Sequence, residues 1–187
     1  MIDILVGGLR PGNTQPFDVR QRDYVLQHWK AVHKRTGQPF EFTFHMSPDF
    51  TYDTEPPSRA LKVVRRLVPA KEHDYLKAIQ QAFYMSNTDV TRESVLCQIA
   101  ERLEVHRDAF LRLFRDPVLK QDTWNEFAQI REWGVDSFPT LLGRQNRQVS
   151  ILVRGCQARD QVLSIIDEWL IRDEEDPASW YDGRSES

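Results

Sequence analysis

The stretch WGVDSFPTLLG, from Trp133 to Gly143, contains the pattern that decides the fold. Gly134 is typical of the residue that ends a helix, and the apolar run after Pro139 indicates a buried strand. A proline suits the first residue of a strand, because its missing N–H does not interrupt the ladder there. The bond from Phe138 to Pro139 can be cis at such a position, so the pattern suggests that something approaches this backbone closely.

On the N-terminal side of this stretch, apolar residues recur at helical spacing. They predict amphipathic helices at Asp18–Thr36, Glu72–Met85, Thr91–Leu103, Arg107–Phe114 and Pro117–Trp133. A further helix is predicted after a cap at Asp53 or Thr54, with prolines in its first turn and its end at Pro69. The continuous apolar run Ile2–Val6 predicts a buried strand that ends at Gly7 and Gly8. The alternation of Phe40, Phe42 and Phe44 fits either a brief strand or an extended aromatic loop.

On the C-terminal side, the apolar runs Thr140–Gly143 and Val149–Val153 predict a β-hairpin, and a last helix follows over Val162–Leu170. The order of elements favours an α/β domain with a helical insertion over a bare helical bundle. We expect one domain over residues 1–171, with a thioredoxin-like part at 1–15 and 134–171 and a mainly helical insertion at 16–133. Residues 172–187 form an acidic, mobile tail in this prediction.

The composition describes an ordinary globular protein and excludes several classes. The 187 residues are 40% hydrophobic and 28% charged, and the net charge of -3 predicts no affinity for nucleic acid or for an anionic membrane. No apolar run approaches the ~20 residues of a membrane-spanning helix. The N-terminal sequence lacks the pattern of a signal peptide, which favours the cytoplasm.

Four short motifs, taken in order, resemble one known family. They are GGLRPG at 7–12, FTYDTEPPSRA at 50–60, TDVT at 88–91 and GVDSFPT at 134–140. Each motif alone is weak, but their order around an inserted helical block is similar to DsbA-like thioredoxin-fold proteins. The most similar branch is the cytoplasmic one of predicted protein-disulfide isomerases.

This resemblance implies a role for the proline in the opening stretch. In thioredoxin-fold proteins the matching proline is cis and lies beside the active-site thiol, and the backbone of the preceding residue pairs with the substrate chain. Phe138 and Pro139 are therefore the expected substrate-binding residues, and we expect the bond between them to be cis. The implied partners are thiols and disulfides of proteins or peptides, or glutathione, and no cofactor is implied.

The sequence departs from the family at the residues that perform its chemistry. The family uses a Cys-x-x-Cys motif at the start of its first helix, where the helix N-terminus lowers the thiol pKa and favours the attacking thiolate. The only cysteines here are Cys97 and Cys156, which form neither this motif nor a metal-binding or disulfide pattern. Because Ile2–Val6 matches the family's second strand, we expect a thioredoxin-like fold that lacks the first strand and the active-site helix.

The missing strand raises a structural problem, since its neighbours would leave rows of backbone groups unpaired. A start codon assigned too late, a truncated gene, or a partner that supplies the element each explains it. The first explanation is favoured, because Ile2 begins in the middle of a motif.

Three functional hypotheses follow. By lineage the chain is part of a thiol–disulfide oxidoreductase or isomerase, without catalytic residues of its own and without redox activity as it stands. The alternative is a binding module for a peptide or thiol ligand, in the form of a homodimer that covers its sheet edges, or a relative of the glutathione-dependent isomerases.

Other candidate residues have structural interpretations. Cys97 fits a buried apolar position, and Cys156, after Gly155, is expected at an exposed turn. The five histidines show no ligand spacing. Asp49, Asp53 and Glu55 fit a solvated loop and a helix cap better than a cation site.

Two further groups of residues are expected to be structural. Lys62, Arg65 and Arg66 fit a solvated helix face. An aromatic set fits core packing better than a groove near the proline, and comprises Phe40, Phe42, Phe44, Phe50 and Tyr52.

Overall fold

The computed structural model describes residues 2–44, 46–47, 49–145 and 148–175, with side chains up to Ile171. This part of the chain is mostly helical and contains one two-stranded sheet. In order, the elements are α1 (Val19–Thr36), α2 (Glu55–Leu67), a short 3₁₀ turn (Pro69–Lys71), α3 (Glu72–Ser86), α4 (Glu93–Arg102), α5 (Arg107–Phe114), α6 (Pro117–Glu132), β1 (Thr140–Gln145), β2 (Gln148–Arg154) and α7 (Arg159–Glu175). The chain divides after Phe127 into two compact units. Within the described ranges, no helix combines the length and apolar character needed to cross a bilayer.

The predicted helices and the hairpin are confirmed, with small shifts at their ends. Helix α1 begins at a capping box, in which Oδ1 of Asp18 accepts from the Gln21 N–H at 2.8 Å and the Gln21 side chain accepts from the Asp18 N–H. It ends at Gly37, whose φ of 70° is the left-handed conformation that glycine adopts without strain.

Helix α2 begins at Glu55 and has prolines in its first turn, as the expected cap at Asp53 or Thr54 implies. Oδ1 of Asp53 accepts from the N–H groups of Glu55 and Gly12, each at 2.8 Å. The Asp53 carboxylate therefore satisfies a free N–H of the first turn and also ties down the loop over residues 8–12. The cap interpretation of this acidic group is confirmed at Asp53, whereas the Thr54 side chain makes no cap bond.

The aromatic residues before α2 pack into the core of the first unit, as expected. The segment over Phe40–Phe44 is a loop rather than a strand, and Phe44 and Phe50 are buried. Trp29 of α1 anchors this cluster, with ring centroids 5.4 Å from Phe44 and 5.6 Å from Phe83. Ring pairs in this range stabilise a core beyond the area that they bury.

The prediction of a buried strand at Ile2–Val6 is wrong. These residues have no regular secondary structure, and only Val6 is fully buried, while Ile2 and Leu5 are exposed. Side chains supply the partners that a neighbouring strand would have supplied. Glu126 of α6 accepts from the Val6 N–H at 2.8 Å, and Arg65 of α2 donates to the Ile4 carbonyl. A strand needs a partner for its ladder, and apolar sequence alone does not provide one.

The interpretation of Lys62 and Arg65 as a solvated face is also wrong. Nζ of Lys62 lies 2.7 Å from Oε2 of Glu126, and the two side chains are only 11% and 13% exposed. Arg65 bonds Oε1 of Glu72 at 2.6 Å and lies 3.6 Å from Oε2 of Glu126. Arg66 is 44% exposed and keeps the predicted surface position. These bonds join α2, α3 and α6 around the N-terminal segment.

The second unit contains the hairpin and the last helix. Strands β1 and β2 pair antiparallel, with a register shift between Leu141 and Leu142. A Cβ atom on Gly143 would lie 2.6 Å from Cε2 of Trp169, so α7 packs directly on the β1 backbone at this position. Helix α7 extends to Glu175, beyond the predicted start of the tail, and the rest of the predicted tail lies outside the described residues.

Candidate functional site

The opening stretch forms a turn between α6 and β1. The Gly134 N–H donates to the Arg131 carbonyl at 2.9 Å and the Val135 N–H donates to the Ile130 carbonyl at 3.2 Å. Gly134 has a φ of 77°, which closes the C-terminus of α6. Val135 is buried, and the chain beyond it turns toward the start of β1.

The peptide bond between Phe138 and Pro139 is cis, as expected. The neighbouring groups fix the backbone on both sides of this bond. The Thr140 hydroxyl donates to the Ser137 carbonyl at 2.7 Å, and the Gly155 N–H donates to the Pro139 carbonyl at 2.8 Å. The proline therefore directly precedes the first residue of β1, where no N–H is required for the ladder.

Arg154, at the end of β2, holds the turn from the opposite strand. Its guanidinium donates to Oδ1 of Asp136 at 2.8 Å and to the Gly134 carbonyl at 2.9 Å. Arg154 also pairs with Thr140 in the register of the hairpin. The Arg154 side chain thus attaches the first half of the turn to the end of β2, and the strand pairing of Arg154 with Thr140 attaches the end of the turn.

Phe138 lies within this turn, and its backbone makes no hydrogen bond to the described residues. Its side chain is 42% exposed. No described residue bonds its backbone N–H or its carbonyl, although the residues on both sides of it are bonded. A rigid turn with one free donor, one free acceptor and an exposed ring is able to accept an extended chain by backbone pairing.

The chain is similar to several solved structures. A crystal structure from Nitrosomonas europaea, provisionally named a protein disulfide isomerase, matches with 30% identity and a TM-score of 0.83 over 88% of this chain and 80% of that chain. The chain belongs to the DsbA-like thioredoxin-fold family.

More distant DsbA-like structures share the fold. The cytosolic disulfide reductase DsbM from Pseudomonas aeruginosa matches with 22% identity and a TM-score of 0.72, over 90% of this chain and 84% of DsbM. A DsbM structure with glutathione matches with 21% identity and a TM-score of 0.66, over 92% and 82% of the two chains. No protein-family model and no curated protein sequence matches the chain.

For a DsbA-like protein, the two cysteines are in unusual positions. Cys97 is fully buried in α4, and burial raises the pKa of its thiol, so the reactive thiolate is disfavoured. Cys156 is exposed just after the hairpin. Both are free thiols, which confirms the structural interpretation of Cys97 and the exposed position expected for Cys156.

The described residues offer no site for a metal ion. No three His, Cys, Asp or Glu side chains among them are arranged to hold one. Asp49 is paired through its carboxylate with the Ser47 hydroxyl, and the two bonds that Asp53 accepts come from backbone N–H groups. The acidic residues before α2 therefore have structural partners.

Sequence reasoning missed Arg154 and Asp136. Eighteen positions separate the two, and neither belongs to a motif with a known spacing. The only available signal was indirect, because a charged residue at the end of a hairpin strand lies opposite the residue that begins the other strand.

Proposed function

We propose that this chain binds an extended thiol- or disulfide-containing ligand at Phe138 and Pro139 and performs no thiol redox chemistry by itself. The observation that carries this proposal is that the backbone N–H and carbonyl of Phe138 have no hydrogen-bond partner among the described residues, while the Ser137 and Pro139 carbonyls on either side are bonded. Family membership supports the ligand class, since the related proteins are described by disulfide chemistry.

The turn supplies recognition in two ways. The Phe138 N–H donates to a ligand carbonyl and the Phe138 carbonyl accepts from a ligand N–H, which together form one rung of a ladder. The exposed Phe138 ring covers an apolar part of the ligand, so its burial adds binding energy. Arg154 is a positioning residue, because it acts on the turn and not on the ligand.

The absence of Cys-x-x-Cys from the printed sequence supports the lack of redox turnover. In the motif alignment that we propose, Ile2–Val6 corresponds to the family's second strand, and the first strand and active-site helix have no counterpart in this sequence. Disulfide exchange requires a thiolate that attacks and a second thiol that resolves the mixed disulfide. Cys97 is too deeply buried to attack a protein substrate.

An insulin-reduction assay tests the redox part of the proposal. With dithiothreitol or glutathione as reductant, the chain is expected to precipitate insulin no faster than a no-protein control. Turnover well above that control, lost on substitution Cys156→Ser, would show that the exposed thiol is catalytic and would refute this part of the proposal.

A binding assay tests the ligand site separately. The affinity for a labelled extended peptide, measured by fluorescence anisotropy, is expected to be lower in a Phe138→Ala variant. Leu163→Ala is the matched control, since Leu163 lies in the same unit and is 41% exposed, against 42% for Phe138. If the two substitutions lowered the peptide affinity equally, Phe138 would not be part of the ligand site.

Glutathione is a second ligand of the same chemical class. The DsbM structure with glutathione supports this ligand. S-methylglutathione in the same anisotropy competition tests whether recognition needs the free thiol. We expect both glutathione and S-methylglutathione to compete with the labelled peptide, because backbone pairing does not involve the sulfur.

We also propose a cytoplasmic location and a homodimer. The cytosolic description of DsbM supports the location, and cell fractionation tests it. Each strand of the hairpin has one edge without a strand partner among the described residues, which supports self-association. Sedimentation equilibrium is expected to give twice the chain mass, and a monomer at all concentrations would exclude the dimer.

A further inference from the structure

The first unit contains a cavity of about 130 Å³ that is partly open to solvent, and none of its lining residues belongs to the Phe138 turn. It lies between α3 and the segment that precedes α2. We name it the Tyr52–Phe83 cavity after its two stacked rings, whose centroids are 5.4 Å apart with an interplanar angle of 27°. Its other apolar walls are Phe50, Ile79, Tyr84 and Val90.

The walls of the Tyr52–Phe83 cavity belong to the rigid core of the unit. Phe50, Phe83, Ile79 and Val90 are each at most 6% exposed. The Phe83 ring also meets the Tyr84 ring at 77° with centroids 5.0 Å apart. Because these side chains support one another, they do not collapse freely into the empty space, and a ligand of matching shape gains contacts that the protein alone cannot make.

The polar groups around the cavity are neutral or already bonded. Burial raises the pKa of both the Tyr52 and the Tyr84 phenol, so both stay protonated near neutral pH. Asp53, the charged residue of the lining, bonds two backbone N–H groups, and the Thr91 hydroxyl bonds Asp89. Among the described residues, no cationic side chain lines the cavity to compensate an anionic ligand.

Size and wall chemistry together define the ligand. An engineered cavity of about 150 Å³ lined by apolar side chains in another protein stays dry and binds benzene. The Tyr52–Phe83 cavity has a similar volume and aromatic walls, and aromatic rings pair favourably at edge and offset-face distances. We propose that it is a binding site for a small neutral aromatic molecule of single-ring size.

The test uses the full chain labelled with ¹³C at isoleucine δ1 methyl groups. Benzyl alcohol is expected to shift the Ile79 methyl resonance saturably, because its ring current acts on a wall of the cavity. The Ile99 methyl is the internal control, since Ile99 is equally buried in the same unit but does not line the cavity. No saturable shift at Ile79, or equal shifts at both methyls, overturns the proposal.

Two further ligands test the chemical class. Benzoate has the same ring with a charge, and it is expected to bind at least about tenfold more weakly, since burial of an unpaired carboxylate is unfavourable. Cyclohexanol has similar size without aromatic character and is also expected to bind more weakly. Binding of either one as tight as that of benzyl alcohol would overturn the assignment.

A blocking variant tests the location without relying on the resonance assignment. Val90→Phe places a ring in the Tyr52–Phe83 cavity and is expected to abolish the rise in Tm that benzyl alcohol causes in the unmodified chain. Val95→Phe is the matched control, because Val95 is half-buried in α4 and does not line the cavity. If Val90→Phe fails to fold, the Ile79 and Ile99 methyl shifts of the unmodified chain still decide the question.

Discussion

The backbone N–H of Val6 donates a 2.8 Å hydrogen bond to Oε1 of Glu126, although 120 positions separate the two residues. The other oxygen of the same carboxylate accepts from Nζ of Lys62 at 2.7 Å. One side chain of α6 therefore both satisfies the N-terminal segment and neutralises a buried ammonium of α2. The segment lacks a strand partner, and this carboxylate replaces part of what a partner would provide.

Removal of the Glu126 carboxylate is expected to destabilise the protein strongly. Glu126→Ala leaves the Val6 N–H without its acceptor and removes the only carboxylate that the Lys62 ammonium bonds among the described residues, so Lys62 keeps only the Asp122 carbonyl. The loss of one member of a buried ion pair costs about 3–5 kcal/mol in the free energy of unfolding. Because both side chains keep some exposure, we expect a value near the lower end. Urea unfolding followed by circular dichroism measures the change.

An exposed ion pair gives the matched control for this effect. Glu101 pairs with Arg107, and the side chains are 38% and 53% exposed. Glu101→Ala is expected to cost less than about 1 kcal/mol. The combination Glu126→Gln with Lys62→Met is expected to recover part of the loss, since it removes both charges. If Glu101→Ala and Glu126→Ala lowered the free energy of unfolding equally, the bonds of Glu126 to Lys62 and Val6 would contribute no more than an exposed ion pair.

Substitution of Gly143 by alanine is expected to disturb the packing of α7 on the hairpin. The added Cβ would lie 2.6 and 2.7 Å from two ring atoms of Trp169, too close for an unchanged structure. Overpacking of this kind costs about 1–3 kcal/mol in unfolding free energy. In a Trp169→Leu background the cost of Gly143→Ala is expected to shrink, and a double-mutant cycle by urea unfolding measures the coupling. Strict additivity would show that the indole is not the obstacle.

The two thiols are expected to react at very different rates. In the native protein, a thiol reagent such as DTNB should modify Cys156 quickly, because this residue is exposed. Cys97 should react only after denaturation, since it is fully buried and burial raises the pKa of its thiol. A Cys156→Ser variant should then show no fast phase. Rapid modification of both thiols in the folded protein would contradict the buried position of Cys97.

Alkaline pH is expected to destabilise the fold through three tyrosines, of which Tyr75 is fully buried and Tyr52 and Tyr84 are half-buried. Burial raises the pKa of Tyr52, Tyr75 and Tyr84, and the Tyr75 hydroxyl also donates to the Leu96 carbonyl at 2.8 Å. The native state therefore keeps protons that the unfolded state loses near the ordinary phenol pKa of about 10. Stability contributed by these groups is complete below that pH and falls as the pH rises above it.

Absorbance at 295 nm, recorded beside circular dichroism, measures this behaviour. The phenols of Tyr52, Tyr75 and Tyr84 should ionise only as the protein unfolds, so the late part of the absorbance change should coincide with the loss of helix signal. Ionisation of every tyrosine near pH 10 with the fold intact would contradict the burial of these side chains.

Local pattern was sufficient to predict most of the fold. Helix α5 has the predicted bounds Arg107–Phe114, and α3 differs only by one residue at its end, because helical spacing of apolar residues is a property of one segment. The hairpin followed for the same reason. The resemblance, rather than spacing, provided the cis bond before Pro139.

Features that depend on distant partners could not be predicted. Val6 is held by a carboxylate of α6, and nothing in the apolar run Ile2–Val6 indicates that partner. Lys62 was expected on a solvated helix face for a similar reason, since the position of Glu126 opposite it depends on how α2 and α6 pack. At the candidate site, the bond from Arg154 to the Gly134 carbonyl depends on the hairpin register. The apolar pattern of the two strands predicted the hairpin but not this register.

The most direct test of the ligand site observes the Phe138 amide itself. In a chain labelled with ¹⁵N-phenylalanine, with the Phe138 resonance assigned from a Phe138→Leu variant, S-methylglutathione or a short extended peptide is added. We expect a saturable shift at Phe138, no shift at the buried Phe50, and a smaller effect from a peptide whose paired amide is N-methylated. An unchanged Phe138 resonance at saturating ligand would contradict the account.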